Sequence, residues 1–134
     1  MQRKSQRTLK LRRLKKEGEK LWCYLAMQKW GAQCNYCQKK PATCCHHFFR
    51  KSGYAHLRFN VENAVPTCQH CHLTYAETPF GVNQIYKQRG RAWEEYINEA
   101  AKLRNPKAAT EAFIKREVER LRQEYEKKYG FAVK

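Results

Sequence analysis

Residues 65–72, VPTCQHCH, contain a Cys-x-x-Cys pair formed by Cys68 and Cys71. A second pair with the same spacing, CNYC, lies upstream at Cys34 and Cys37. Each pair has the spacing at which two thiolates bind one tetrahedral ion, and two pairs complete a closed structural zinc site. The alternative is that all four cysteines are buried and inert. Two pairs in one short chain favour zinc, so we expect a structural Zn²⁺ at the centre of the fold.

The composition is that of a small and strongly basic chain, which we expect to form one domain. Its 134 residues include 28 Lys and Arg against 12 Asp and Glu, a formal net charge of +16. Such a charge attracts polyanions, of which nucleic acid is the first candidate and an anionic membrane the second. No stretch of about 20 apolar residues exists to span a bilayer, and the N-terminus lacks the apolar core of a secretory signal. We therefore expect the protein to lie in a reducing cytoplasm and not in a membrane. In a reducing compartment, seven cysteines indicate metal binding and not disulfides.

Helical periodicity is present on both sides of the cysteine-rich segment. Apolar residues among basic ones predict a first helix from Thr8 to Trp30, which we expect Gly18 to bend or interrupt. A second helix is expected to start at about Asn83 or Arg91 and to end at Arg104. The residues predicted to line its apolar face are Trp93, Tyr96, Ile97, Ala100 and Leu103.

A last helix is predicted from about Thr110 to Gly130. Its apolar stripe consists of Ile114, Val118, Leu121 and Tyr125. The stripe either packs inside the chain or forms the seam of a homodimer, and the residues alone leave both arrangements open.

The segment between the two cysteine pairs is longer than a zinc ribbon requires. It comprises residues 38–67, whereas a simple ribbon uses roughly 15 to 20 residues. This insertion contains His46 and His47 in TCCHHFFRKSG and then Asn63 in FNVENAVPTC, and His72 directly follows Cys71. Imidazole is both a metal ligand and a general base near neutral pH, so the insertion has the residues of an active site.

The order His-His, Asn and then CxxC-His resembles the HNH endonucleases in their four-cysteine zinc form. Within that class, HLRFNVENAVPTCQHC at residues 56–71 is similar to the corresponding segment of the phage NinG or Rap recombination endonuclease family. The resemblance covers roughly residues 34–129. It differs at His72, where those relatives commonly have Asn, and at residues 44–46, where they have an acidic residue or glycine.

The resemblance implies an α+β, mainly helical fold with a zinc-stabilised ββα-metal core of the HNH, treble-clef-like kind. The implied organisation is a basic N-terminal helical extension at 1–33, the nuclease core at 34–80 and a C-terminal helical region at 81–134. The implied activity is metal-dependent hydrolysis of DNA phosphodiester bonds, on branched or recombination intermediates. If the chain is phage-encoded, it would work in the cytoplasm of a bacterial host, with recombination proteins as possible partners.

The same resemblance assigns roles to four side chains. His47 would take the proton from the attacking water, and His46 with His72 would hold a catalytic divalent cation, Mg²⁺ or Mn²⁺. Asn63 would bridge the backbone of the intervening loop. On a strand at 43–49 the two adjacent histidines point to opposite faces, which suits two different roles. Without the motif, these side chains would be satisfied core histidines and a loop asparagine capping a turn.

Basic residues near the motif are candidates for contacts with DNA phosphates. In the loop around Gly53 they are Arg50, Lys51, His56 and Arg58, and on the basic helix expected from Arg3 to Lys20 they are Arg12, Arg13, Lys15 and Lys16. A solvated helix face would have a similar composition. Nothing resembles a base-reading element, so we expect recognition of DNA structure or backbone.

Three cysteines lie outside the two pairs. Cys23 is predicted to be a core residue of the first helix, whereas Cys44 and Cys45 either pack or compete for a metal. Two other functional classes stay open at this point. One is a non-catalytic zinc-finger module that binds nucleic acid, and the other is an RNA-directed nuclease or ribosome-associated protein, for which no aromatic RNA-binding signature is evident.

Overall fold

A computed structural model describes residues 5–130, so Arg3, where we expected the basic helix to begin, lies outside the described residues. Its elements are α1 (Gln6–Trp30), β1 (Cys44–His47), β2 (Ala64–Thr67), α2 (Gln69–Thr74), α3 (Pro79–Arg89), α4 (Arg91–Lys102) and α5 (Glu111–Tyr129), with 3₁₀ turns at Ala55–Leu57 and Val61–Asn63. The predicted fold class, α+β and mainly helical, is confirmed. Within residues 5–130, no helix combines the length and the apolar character needed to cross a bilayer.

The two strands form a small antiparallel sheet that leads directly into α2. Cys44 is opposite Thr67 in this sheet, and His47 is opposite Ala64. β2 is fully buried, and α2 begins immediately after it with Cys68 as its N-cap residue. The sheet therefore places the CCHH strand beside the CQHCH segment, although residues 48–67 separate the two in sequence.

Helix α1 runs through Gly18 without interruption, so an interruption at Gly18 is wrong. The side chain of Ser5 caps its N-terminus by accepting from Thr8 N–H, and Gly31, whose φ of 99° favours glycine, caps its C-terminus. Gly18 is buried, and a Cβ placed on it would lie 2.7 Å from both Phe59 Cε1 and Val118 Cγ2. The glycine therefore permits close packing between α1 and its neighbours.

The apolar stripe of α5 packs against α1 inside the chain. This core consists of Leu21, Trp22, Leu25, Ala26, Phe59, Ala64, Ile114, Val118 and Leu121. Of the two arrangements that the sequence left open, the internal one is observed for this stripe. A homodimer stays a prediction, and it needs a contact other than this seam. Helix α1 supplies four of the buried residues of this core, Leu21, Trp22, Leu25 and Ala26.

Of the two predicted starts for the helix ending at about Arg104, Arg91 matches α4, whereas Asn83 lies inside a separate helix, α3, which Gly90 with a φ of 88° divides from α4. The buried face of α4 consists of Trp93, Ile97 and Ala101, whereas Leu103 lies beyond the helix and is 73% exposed. The predicted face was wrong at Leu103, because the helix stops before that residue, and at Tyr96, which is 48% exposed. A second core contains Ile85 of α3, Trp93 and Ile97 of α4, Val65 of β2 and the cysteine-rich turn.

Replacing Gly18 by valine should destabilise the protein. The added atoms would overlap the side chains of Phe59 and Val118, both of which are fully buried. Overpacking of this kind costs about 1–3 kcal/mol of unfolding free energy. Urea unfolding of Gly18→Val measures the loss, and Lys16→Val, on the exposed face of the same helix, is the matched control. Equal stability of the two variants would contradict the close packing.

Candidate functional site

The four cysteines of the two pairs come together at one point. Cys34 and Cys37 lie in the turn after α1, and Cys68 and Cys71 lie at the start of α2. Their four Sγ atoms are all within 4.8 Å of one another. Zinc–sulfur bonds of about 2.3 Å in a tetrahedron place the sulfurs about 3.8 Å apart, so the group is positioned to hold a metal ion such as zinc.

Backbone hydrogen bonds shape this cluster and favour thiolates. Cys34 N–H donates to Lys40 O, and Gln38 N–H donates to Cys34 O, with Gln38 at a φ of 58°. Burial acts to raise the pKa of Cys34, but backbone N–H groups directed at its sulfur outweigh burial and lower that pKa to about 6. Burial and the neighbouring sulfurs raise the pKa of Cys71 to about 12. Four thiolates cannot accumulate so closely without a cation between them.

A cleft of about 710 Å³ opens beside the sheet and contains the three motif histidines. His46 and His47 reach it from β1, and His72 reaches it from α2. The rings of His46 and His72 have centroids 5.3 Å apart, and Cys44 Sγ lies 3.8 Å from Nδ1 of His72. Burial, followed by the charge of His72, lowers the pKa of His46 to about 4. The fold therefore brings together histidines that are far apart in sequence.

His47 faces α1 and is held on two sides. Its ring stacks on Trp22 with a centroid distance of 4.1 Å and an interplanar angle of 12°. Its Nε2 lies 3.0 Å from Arg58 O, and because a carbonyl only accepts, Nε2 carries the proton and Nδ1 is the acceptor nitrogen. Burial lowers the pKa of His47 to about 4, so the ring is neutral near pH 7.

Asn63 is completely buried and bridges the loop that follows His47. Its Oδ1 accepts from Phe49 N–H at 2.8 Å, and its Nδ2 donates to Phe49 O at 3.0 Å and to Leu57 O at 3.3 Å. Phe48 N–H donates to the backbone carbonyl of Asn63 itself. One amide side chain thus joins both ends of the loop that starts at the catalytic candidate.

The basic candidates of the loop are engaged with acids or backbone. Arg50 pairs with Glu77 through two hydrogen bonds, and Lys51 and Arg58 both pair with Glu19. His56, predicted to be at the surface or to face DNA, is partly buried, and its Nε2 contacts Ala100 O at 2.8 Å. His70 lies outside the motif and is exposed on α2.

A basic groove of about 450 Å³ adjoins the histidine cleft and shares Glu19 and Lys51 with it. Its basic lining residues are Arg12, Lys15, Lys16, Lys51 and Arg58. Arg13 is exposed on α1 but does not line this groove. All five groove cations were DNA-contact candidates on two separate segments, and the fold brings them together in one groove that adjoins the histidine cleft.

Three cleft residues were not indicated by sequence reasoning. Trp22 precedes Cys23 in a helix whose periodicity marks it only as apolar, and Glu19 is an ordinary helical acid. Glu77 follows α2 with no motif spacing, yet it lies in the cleft. The hydrogen bond from Arg50 lowers the pKa of Glu77, and charges on His46 and His72 act in the same direction. Tertiary structure alone places these three side chains at the site.

Comparison of the chain with models of known protein families gives no match. Comparisons with curated proteins and with solved structures likewise give no match. The site therefore has to be interpreted from its own geometry and chemistry.

Cys34→Ser and Cys68→Ser should each reduce bound metal and destabilise the fold, because metal affinity is coupled to folding. His72→Ala, one position beyond Cys71, should retain the metal of the cysteine cluster. Elemental analysis of purified protein and thermal unfolding measure both effects. Loss of that metal in His72→Ala would show that this histidine belongs to the cysteine cluster.

Folding stability should also depend on His47 as the pH falls. The ordinary pKa of histidine is about 6.5, and folding lowers that of His47 to about 4, so the unfolded chain binds the proton first. The resulting stability is fully present above about pH 6.5 and is lost as the pH falls toward 4, by at most about 2 kcal/mol at pH 5. Urea unfolding at pH 7 and pH 5 should show a smaller loss in His47→Phe than in the unmodified chain. Equal losses would mean that His47 is not held neutral.

Proposed function

We propose that this protein is a metal-dependent endonuclease of the HNH kind that hydrolyses DNA phosphodiester bonds. The observation that carries the proposal is the cleft, in which His46, His47 and His72 meet beside a four-cysteine cluster. In this proposal the cluster holds a structural Zn²⁺, and β1, β2 and α2 are the ββα unit of the nuclease core. The buried amide of Asn63 behind the cleft also supports it.

His47 is the general base in this proposal. Hydrolysis of a phosphodiester requires removal of a proton from the attacking water. The neutral ring has its acceptor at Nδ1, because Nε2–H donates to Arg58 O. Stacking on Trp22 fixes the ring plane, so the base needs little reorganisation when the substrate binds.

Asn63 is a positioning residue. Its side chain fixes Phe49 and Leu57, and its backbone carbonyl fixes Phe48, directly after His47. These bonds hold the loop that carries Arg50 and Lys51 in register with β1. The loop's cations are thereby kept beside the cleft.

A catalytic divalent cation fits the donor pair of His46 and His72, whose rings lie close together and line the cleft. When bound, such a cation supplies Lewis-acid stabilisation of charge on the phosphate and on the leaving oxygen. Two imidazoles suit a borderline transition metal better than Mg²⁺, which prefers oxygen ligands. The donor pair therefore disfavours the Mg²⁺ expected first and leaves the identity of the cation to the cleavage assay.

DNA is the proposed partner because the basic groove leads to the histidines. Cations along the groove would contact successive phosphates on one side of the scissile bond. Branched or recombination-type DNA is the proposed substrate class, following the sequence resemblance to phage recombination endonucleases. Each active site would cut one strand, and resolving a four-way junction requires two opposed nicks. We therefore propose a homodimer, which would supply two such sites.

The non-catalytic zinc module remains the competing function, since it uses the same four cysteines and the same positive charge. It gives no role to the arrangement of His47, Arg58 and Asn63. Incubation with linear, single-stranded and branched DNA in EDTA, Mg²⁺ or Mn²⁺ separates the two functions. Binding without cleavage under every condition would favour the module.

His47→Ala should abolish cleavage while leaving DNA binding intact. Loss of a general base reduces the rate by about a hundredfold to ten-thousandfold, whereas the phosphate contacts lie on other residues. Cleavage rate and binding affinity are measured on the same preparation. His70→Ala, an exposed histidine on α2, is the matched control. Equal rates for both variants would remove His47 from the mechanism.

DNA binding should weaken steeply with salt, and the basic groove should contribute to the slope. If about six to ten phosphates are contacted, affinity falls by several orders of magnitude over a fourfold rise in salt. Replacing both Lys15 and Lys16 by glutamine should lower affinity and reduce the slope by about 2. The control replaces Lys127 and Lys128, which line neither the groove nor the cleft, and should change neither quantity. Equal effects of the two double variants would exclude the groove as the DNA path.

A further inference from the structure

Cys23 and Cys45 form a close thiol pair that the proposed nuclease chemistry does not use. Cys23 lies on α1 and Cys45 on β1, 22 positions apart in sequence, and their Sγ atoms are 2.8 Å apart. The thiol of Cys45 also contacts the backbone carbonyl of Cys23 at 3.7 Å. A disulfide has sulfurs about 2.05 Å apart, so closing the bond needs an approach of about 0.8 Å.

The pair is accessible from the histidine cleft. Both cysteines are only partly buried, and both line the cleft of about 710 Å³. The four cysteines of the metal cluster are a separate group, and metal binding there would occupy their sulfurs. The thiols outside that cluster are Cys23, Cys44 and Cys45, and Cys44 faces His72 instead of Cys23.

We propose that Cys23 and Cys45 are an oxidation site at which a hydroperoxide produces an intramolecular disulfide. One thiolate attacks the peroxide, forming an S–O bond and breaking the O–O bond, which leaves a sulfenic acid and one water or alcohol. The second thiol attacks that sulfur and releases water, so two thiol protons and two electrons pass to the peroxide. A thiol reductant reverses the link.

The link would join α1 to β1 directly at the cleft. Cys23 follows Trp22, whose ring stacks on His47, and Cys45 precedes the two histidines of β1. Oxidation of the pair would therefore link α1 to β1 covalently at the cleft. This inference does not depend on whether the protein cuts DNA.

The test uses the full chain with its bound metal, treated with hydrogen peroxide and then with an alkylating reagent. Before alkylation, the oxidised protein should have the mass of the reduced protein minus two hydrogen atoms. After alkylation, it should carry two fewer alkyl groups than the reduced protein. Non-reducing peptide mapping should join Cys23 to Cys45, and dithiothreitol should reverse the link. Guanidinium chloride should slow formation of this link at least tenfold, because the fold and not sequence proximity brings the sulfurs together.

The matched variants are Cys45→Ser and its neighbour Cys44→Ser. Cys45→Ser should lose the link, whereas Cys44→Ser should form it at the rate of the unmodified chain. Circular dichroism of both variants verifies folding before oxidation. The proposal fails if Cys45→Ser links Cys23 just as fast, or if Cys23 and Cys45 stay fully alkylatable while cysteines of the metal cluster oxidise.

Discussion

The backbone of Asn60–Ala64 is the segment on which both cores and the cleft depend. Its carbonyl groups accept from the indole N–H groups of Trp22, Trp30 and Trp93 and from the guanidinium of Arg89. The chain has three tryptophans, and all of them donate to this one segment. A buried carbonyl without a partner costs free energy comparable to a lost hydrogen bond. Because an irregular segment cannot pair its own carbonyl groups as a helix or a sheet does, these four side chains provide the missing donors. The Arg89 guanidinium, whose pKa burial lowers to about 10, stays charged between the rings of Trp30 and Trp93.

This anchoring explains how a loop between two short strands can hold a site in place. Asn63 lies inside the anchored segment, and its side chain in turn fixes the backbone at Phe49 and Leu57. Arg58, one residue further, presents the carbonyl that orients His47. The order of dependence runs from the tryptophans to the segment, from the segment to the loop, and from the loop to the histidine. Each step is a hydrogen bond between partly or fully buried groups, which makes its geometry more restrictive than that of a surface contact.

Sequence patterns predicted the parts of this structure that depend on local spacing. The cysteine pairs and the helical stripe around Val118 follow from motif spacing and periodicity alone. The division at Gly90 and the role of Gly18 were not predictable in the same way, because each depends on what packs against the helix. The stacking of Trp22 on His47 joins residues from two separate elements, so no local pattern could indicate it. The same holds for Arg50 and Glu77, whose pairing is a property of the folded chain.

The ion pairs around the cleft differ in how exposed they are, and therefore in how easily they could be broken. Arg50 and Glu77 are both well exposed, with side-chain exposures of 70% and 50%, and such pairs contribute little stability in water. A phosphate would therefore displace the carboxylate of Glu77 from Arg50 at small cost. Arg58 is different, since its side chain is only 20% exposed and pairs with Glu19. The backbone carbonyl of the same residue accepts from His47. Arg50 is thus suited to contact a ligand, whereas Arg58 is suited to stabilise the geometry of the cleft.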